Sequence, residues 1–416
     1  MFEAVCSDLT SEGLGVVRNG AFVVFVEGLL IGEKAVIRIE KREKRFAYGS
    51  VVRILERNPD RISPVCPHFG TCGGCSLMHL AYEKQLEWKR SQVITALRKL
   101  AHIPHPNVDA TVGLEPLHYR NKLQMKATTV HGETRFGLYK KGSNEIVPID
   151  TCYIQEEAGD LVRRAAEKIA SQCKAELRHI LVRTSGSGKA LVVLIAQSEI
   201  TEAIRETARH LFTLDSVVGV HFMQNTKREN VILGEEVIPL FGELTLEEKM
   251  LGMDFKLDPK AFFQINRPVA ERMYRHAFEM SSLQSGMRAL DAYAGSGIFA
   301  RFLAGRGVRV TAIEIVPEAQ VQHCGVTWIV GAVEKEIDRL GTFDVVFLNP
   351  PRKGCEKTVL ESLIRKNAAR IVYTSCNPQT LARDIAILGY TLVGAAPFDL
   401  FPQTTHVETV ALLAKK

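Results

Sequence analysis

The sequence predicts a multidomain α/β protein. A small antiparallel β-barrel spans 1–58, an α+β middle domain spans 59–250, and a doubly wound parallel sheet spans 251–416. Three observations carry this reading. Short β-rich runs alternate with glycine turns at the start, a cysteine-rich knot then opens a stretch of mixed strands and helices, and after about residue 251 strand–loop–helix units repeat. A chain of 416 residues accommodates two or three domains at roughly 150 residues each. With 46% hydrophobic and 24% charged residues, every part can bury a core.

In the first part, "GAFVVFVEG" and "EKAVIRIEKREKRFAYGSVVRILE" read as strands separated by turns. The net charge of +6 is modest, yet "RIEKREKR" (38–45) concentrates basic residues, as a solvated face or a phosphate-contacting surface. "RNPDRISP" marks a linker. The knot is Cys66-x5-Cys72-x2-Cys75, a strong ligand pattern, with Cys152 in "IDTCYI" as a plausible fourth thiol and Cys173 as its competitor. Four thiolates bind zinc or an iron–sulfur cluster, and spacing does not decide between them. The nine cysteines are odd in number and scattered, which argues against a disulfide framework. A helical pattern follows, with Leu80, Leu86, Val93, Leu97 and Leu100 on roughly one face and its end near "HIPHPN". "RNKLQMKATTV", "ELRHILVRTSG", "KALVVLIA" and "GVHFMQN" then mix strands with helices and carry no nucleotide fingerprint.

In the last part, "MRALDAYAGSG", "VRVTAIEI", "FDVVFLNPPR" and "RIVYTSCNP" each end an apolar strand in polar or glycine-containing residues. Ligands of doubly wound sheets bind beyond the carboxyl ends of the parallel strands, so four loops converge on one edge. Asp291-x3-Gly295-x-Gly297 allows a tight turn and close cofactor approach at a helix N-terminus. Glu314, about 20 residues onward, suits ribose hydroxyls of a dinucleotide or of S-adenosylmethionine. "NPPR" (349–352) favours the latter. Cys376 lies between the strand "RIVYT" and a helix opened by Asn377 as N-cap and Pro378 at its first position. Amides and dipole at that helix start predict a thiol pKa lowered from about 8.5 towards neutrality.

The stretches "CPHFGTCGGCSLMHLAYEKQLEWK", "FFQIN", "LDAYAGSG", "NPPRKG", "YTSCNPQTLARD" and "LFPQTTHVETVALL" occur in family order. Through them nearly the whole chain resembles the RNA uracil-C5 methyltransferases, the ribosomal and transfer RNA 5-methyluridine family. The resemblance implies an N-terminal OB-like TRAM domain for RNA and a middle domain carrying a [4Fe–4S] cluster on Cys66, Cys72, Cys75 and Cys152. It also implies a Rossmann-like class I methyltransferase domain at the C-terminus, with the helical stretch 79–112 packed on it. Cys376 matches the nucleophile that adds to uracil C6, and Glu408 the base that removes the C5 proton. Gln264, Tyr293, Gly295, Gly297, Glu314 and Asn349 fall at S-adenosyl-L-methionine positions. Phe262 matches an aromatic beside a flipped target base, and Arg120 and Lys122 are candidates for RNA backbone contacts. The cluster-bearing type points to 23S ribosomal RNA ahead of the transfer RNA T-loop, and to a monomer with no membrane or DNA partner.

Two positions depart from the family pattern. Asn349 stands where an aspartate usually precedes the proline pair, and Ala332 replaces a polar residue expected near adenine, after a connection from Glu314 that is shorter than usual. Four rivals compete. Adenine amino methylation also uses "NPP" but needs no cysteine. Cytosine-C5 enzymes order the motif "TCS", and radical methylthiotransferases space their cysteines differently. A noncatalytic RNA-binding factor would not need Cys376 together with Glu408. The opening residues lack a signal-peptide pattern, and no apolar run approaches the roughly 20 residues of a membrane helix, so a cytoplasmic protein is expected.

Overall fold

The structure, a computed structural model, describes residues 1–20, 22–227, 231–317 and 325–415. Its N-terminal unit comprises β1 (Phe2–Val5), β2 (Asp8–Leu9), β3 (Gly15–Asn19), β4 (Phe22–Val26), β5 (Lys34–Arg42) and β6 (Phe46–Glu56), ordered β1-β5-β6-β4-β3-β2. Alternation along the strands puts Val24, Val26, Ala35, Ile37 and Ala47 inside. The sheet is not wholly antiparallel: β4 runs parallel to β6. The chain leaving β4 passes to the far side of β6, where β5 pairs antiparallel with it. Arg61, in the linker, forks onto the buried carboxylate of Glu33 at 2.5 and 2.7 Å and ties the linker to the barrel.

Next come α1 (Tyr82–Leu100), β7 (Lys122–Val130), β8 (Glu133–Tyr139), β9 (Ile146–Pro148), α2 (Glu157–Cys173), β10 (His179–Thr184), β11 (Ala190–Ala196), α3 (Glu202–Phe212), β12 (Val217–Gln224) and β13 (Ile238–Gly242). The strands form one sheet, β13-β12-β11-β10-β7-β8-β9. Every residue of β11, "ALVVLIA", is buried. Residues of α2 and α3 cover one face of the strand, and Met223 and Leu246 cover the other.

Helix α1 leaves this sheet and lies on the helix Pro378–Leu388 of the C-terminal unit, where Val93, Ala96 and Leu97 share a core with Leu381 and Ile385. Its buried stripe is Gln85, Trp88, Lys89, Val93, Ala96 and Leu97, at helical spacing. The predicted face was more apolar: Leu100 is 43% exposed, and Leu80 precedes the helix. Gln85 and Lys89 take inward positions because Gln403 and Asp399, on a loop of the C-terminal unit, meet them with polar groups.

The C-terminal unit begins with a hairpin, β14 (Leu246–Met250) and β15 (Met253–Leu257). It continues through α4 (Arg267–Ser281), β16 (Arg288–Ala292), α5 (Ile298–Ala304), β17 (Arg309–Glu314), β18 (Val326–Val330), α6 (Val333–Glu336), β19 (Val345–Leu348), α7 (Lys357–Lys366), β20 (Arg370–Ser375), α8 (Pro378–Leu388), β21 (Thr391–Phe398) and β22 (Glu408–Ala414). Sheet order is β18-β17-β16-β19-β20-β22-β21. The first five strands are parallel, and β22 inserts antiparallel between β20 and β21. Strand order reverses between β16 and β19, and a crevice opens at such a switch point. The short connection singled out after Glu314 falls largely on 318–324, outside the described residues.

Candidate active site

Beyond that crevice a cavity of about 610 Å³ is lined by Phe262, Gln264, Tyr293, Gly295, Glu314 and Asn349, and also by Arg352, Cys376, His406 and Glu408. Sheet register explains how distant residues meet. Ser375 pairs with Thr409 across β20 and β22, so the next positions, Cys376 and Glu408, end adjoining strands at the same edge.

Cys376 follows β20 and precedes the N-cap of α8. Asn377 Oδ1 accepts the Gln379 N–H at 3.0 Å, and Ser375 Oγ accepts the Asn377 N–H at 3.2 Å. These amides are therefore spent on local side chains. Contrary to the lowered pKa predicted from the helix start, burial pushes the Cys376 thiol above its usual value; the Glu408 carboxylate adds to this, and the Arg352 guanidinium opposes it. Burial pushes the Glu408 carboxyl up to about 7, again against Arg352. Arg352, exposed on the loop after β19, also lies 3.3 Å from His406 Nε2. It stood within the quoted "NPPR" but had no assigned role; an arginine directly after the proline pair, on a loop facing Cys376, was the available signal.

The expected cofactor positions divide. Glu314 accepts the Gly295 N–H at 2.8 Å and the Val316 N–H at 3.0 Å, which fixes its carboxylate at the cavity wall. Gln264 is buried, its carbonyl held by Asn121 Nδ2 at 2.9 Å. Tyr293 has a left-handed backbone, φ 67°; it lines the cavity, and its hydroxyl lies against Cys355. Asn349 is exposed in the cavity, and Ala332 also lines it. Gly297 does not line the cavity: a Cβ there would come within 2.5 Å of the Trp328 ring, so the glycine admits helix packing instead. Asp291 was quoted but not singled out. It lines the cavity with one buried carboxylate oxygen lacking a partner among the described residues, and burial, with Glu314 nearby, pushes it up to about 7.

Phe262 stands 67% exposed at the cavity rim. Arg120 and Lys122 are absent from the lining. Arg120 Nε donates to the Lys122 carbonyl at 2.9 Å, and Lys122 Nζ to the Pro259 carbonyl at 3.3 Å. Burial lowers the Lys122 ammonium to about 8. Lys122 thus braces the loop that carries Phe262 instead of standing free as a surface cation.

Cys66, Cys72, Cys75 and Cys152 share one cluster. Burial first, then the neighbouring thiols Cys152, Cys72 and Cys66, pushes Cys75 up to about 12. Cys173 lies elsewhere, 3.7 Å from His210 Nδ1. Among the described residues no group of three or more His, Cys, Asp and Glu side chains is spaced to hold a single metal ion.

A family profile described as tRNA (Uracil-5-)-methyltransferase matches residues 81–327 and 335–416, and a TRAM domain profile matches 3–52. An uncharacterized RNA methyltransferase of Clostridium acetobutylicum is 35% identical, covering 100% of this chain and 97% of that protein. One from Caldanaerobacter subterraneus subsp. tengcongensis is 34% identical over 100% of this chain and 98% of its own length. The crystal structure of Pyrococcus abyssi tRNA (uracil-54, C5)-methyltransferase in complex with S-adenosyl-L-homocysteine shares the fold. Its TM-score is 0.78, with 24% identity over 99% of both chains.

Proposed function

Given that this chain belongs to the tRNA (uracil-5-)-methyltransferase family, we propose that it methylates C5 of a uridine in RNA through covalent catalysis by Cys376. The observation that carries this is the meeting of Cys376 and Glu408 in one cavity. Uracil C5 is a weak nucleophile. Addition of the Cys376 sulfur to C6 pushes the ring electrons towards O4 and makes C5 able to attack. S-adenosylmethionine, when bound, supplies an electrophilic methyl group. Glu408 then takes the C5 proton, the ring electrons return, and the C6–S bond breaks. A carboxyl poised near 7 suits that transfer. Arg352 stabilises the thiolate that its neighbours disfavour.

The cavity fits the cofactor. Asp291 and Glu314 offer carboxylates to a ligand carrying positive charge, and the unpartnered oxygen of Asp291 supports a cationic occupant. Gln264, Tyr293, Gly295 and Asn349 complete the wall, Phe262 guards the mouth, and Gly297 shapes the loop from behind.

The thiols of Cys66, Cys72, Cys75 and Cys152 are electrostatic neighbours with no grouping tight enough for a single ion. Four thiols gathered in one place are the donor set of a [4Fe–4S] cluster, the reading that the family resemblance favours over zinc. Held by these four thiols, a cluster would cross-link the 66–75 loop to Cys152. The resemblance to the cluster-bearing type of the family favours 23S ribosomal RNA over transfer RNA as the target.

The test combines 5-fluorouridine transcripts of 23S ribosomal and transfer RNA with S-adenosylmethionine. Fluorine at C5 blocks proton removal, so a covalent protein–RNA adduct is expected, absent in Cys376→Ala. No adduct with either transcript defeats the mechanism.

A further inference from the structure

Cys376 stands at a junction between two cavities. A second groove, of about 560 Å³, shares Arg352, Cys376 and His406 with the first and lies on the other side of the cysteine. Its volume falls within the roughly 300–1,000 Å³ of sites that enclose small ligands. Besides the loop before β22 and Arg352, three separate parts of the chain wall it: the barrel turn Ser11–Glu12, the Gln92–Lys99 segment of α1, and the first turn of α8 at Gln379. Two of them, the barrel turn and α1, are anchored against the loop before β22. The barrel turn seats on the loop before β22, where a Cβ on Gly13 would come within 2.9 Å of Thr405 Cγ2. Helix α1 is pinned by Lys89 to Asp399 at 2.5 Å and by Gln85 to Gln403 at 2.9 Å.

We propose that this groove holds the nucleotide adjoining the target uridine and reads its base. The inference rests on the uridine-methylation reading above. A base extruded past Cys376 into the cofactor cavity leaves its covalent neighbour outside, and enzymes of this kind take their context preference from contacts to that neighbour. The groove's chemistry selects base edge over phosphate. Glu12 would repel a phosphate, whereas a carboxylate accepts from an exocyclic amine, and the amides of Gln92 and Gln379 each offer a donor and an acceptor to a base edge. Lys99 and Arg352 supply cations for the flanking backbone. The favoured neighbour is therefore an amino-bearing base, adenine, cytosine or guanine, ahead of uracil.

The experiment uses the full-length protein with in vitro transcripts of 23S ribosomal RNA and of transfer RNA. Gln92→Ala, Gln379→Ala and Glu12→Gln are each expected to weaken gel retention of the bound transcript about tenfold. Calorimetric binding of S-adenosylhomocysteine should stay at the wild-type level. With 8-azidoadenosine placed beside the target uridine, irradiation should place cross-links on α1 and the first turn of α8. Wild-type retention in all three variants, or cross-links confined to other surfaces, overturns the groove. Both readouts need no turnover, so a wild-type protein that methylates neither transcript defeats the methylation reading while the groove is still judged.

Discussion

Glu408 is 7% exposed, and burial moves its carboxyl from 4.5 to about 7, so its ionisation is linked to folding. Below the lower value it is protonated in folded and unfolded chains alike and contributes nothing. Between the two values only the unfolded chain ionises, which favours unfolding, and above about 7 the full cost persists. Glu408→Gln removes it. The variant should resist urea better than wild type at pH 8, by on the order of 3 kcal/mol at 1.36 kcal/mol per unit, and show no gain near pH 4. An equal gain at both pH values would mean that Glu408 is not a buried ionising group. The position of Cys376 was legible because β-branched strand, N-cap and proline are local signals. The direction of its pKa was not. It depends first on burial and then on Glu408, which the sheet register brings beside it, with Arg352 opposing.

The barrel strands were legible from alternation and turns, but the parallel pairing of β4 and β6 was not, and it creates a surface that no run of sequence displays. Phe25 sits opposite Tyr48 in that register. Phe25, Phe46 and Tyr48 form an outward cluster with ring centroids 5.5 to 6.0 Å apart. The basic run 38–45 lies along β5 and the turn to β6, with Arg42 stacked 5.0 Å over Phe22. Rings beside cations form a platform for unpaired bases, where a stacked base contributes roughly 1–3 kcal/mol. Phe25→Ala combined with Tyr48→Ala should weaken RNA binding tenfold or more and leave S-adenosylhomocysteine binding unchanged, read by gel retention and calorimetry. Helix α1 carries a different element-scale consequence. Lys89 and Asp399 are both wholly buried and 2.5 Å apart, and burial pushes the lysine down and the aspartate up against their mutual attraction. Lys89→Met leaves an unpaired buried carboxylate and should cost about 3–5 kcal/mol in urea unfolding. Adding Asp399→Leu should recover much of that loss. Hydrophobic periodicity could not foresee this pair, because it scores a lysine as an outward position.

At the scale of the whole molecule, the cysteine loop and the cavity are mechanically joined. The residues directly after Cys75, Ser76 and Leu77, both donate backbone N–H groups to the Gln403 carbonyl at 2.9 Å. Gln403 has a left-handed backbone, φ 67°, a conformation that a non-glycine residue holds only where its surroundings impose it. Gln85 on α1 bonds the same residue, donating to its side-chain oxygen at 2.9 Å and accepting its N–H at 3.1 Å. Three residues further on, His406 faces Arg352 beside Cys376. The part of the cofactor wall built from the loops after β16, β17 and β19 is independent of this chain of contacts. Loss of a cluster at Cys75 should therefore disturb RNA engagement more than cofactor binding. Protein purified without oxygen is expected to contain iron and sulfide in equal amounts, and Cys75→Ala to contain neither. That variant should unfold at lower temperature and show a raised KM for RNA. Its S-adenosylhomocysteine affinity should remain within about threefold of wild type, a difference of roughly 0.7 kcal/mol. If Cys75→Ala keeps the wild-type KM, the Ser76–Gln403 contact does not transmit order to the cavity, and the thiol loop serves the middle sheet alone.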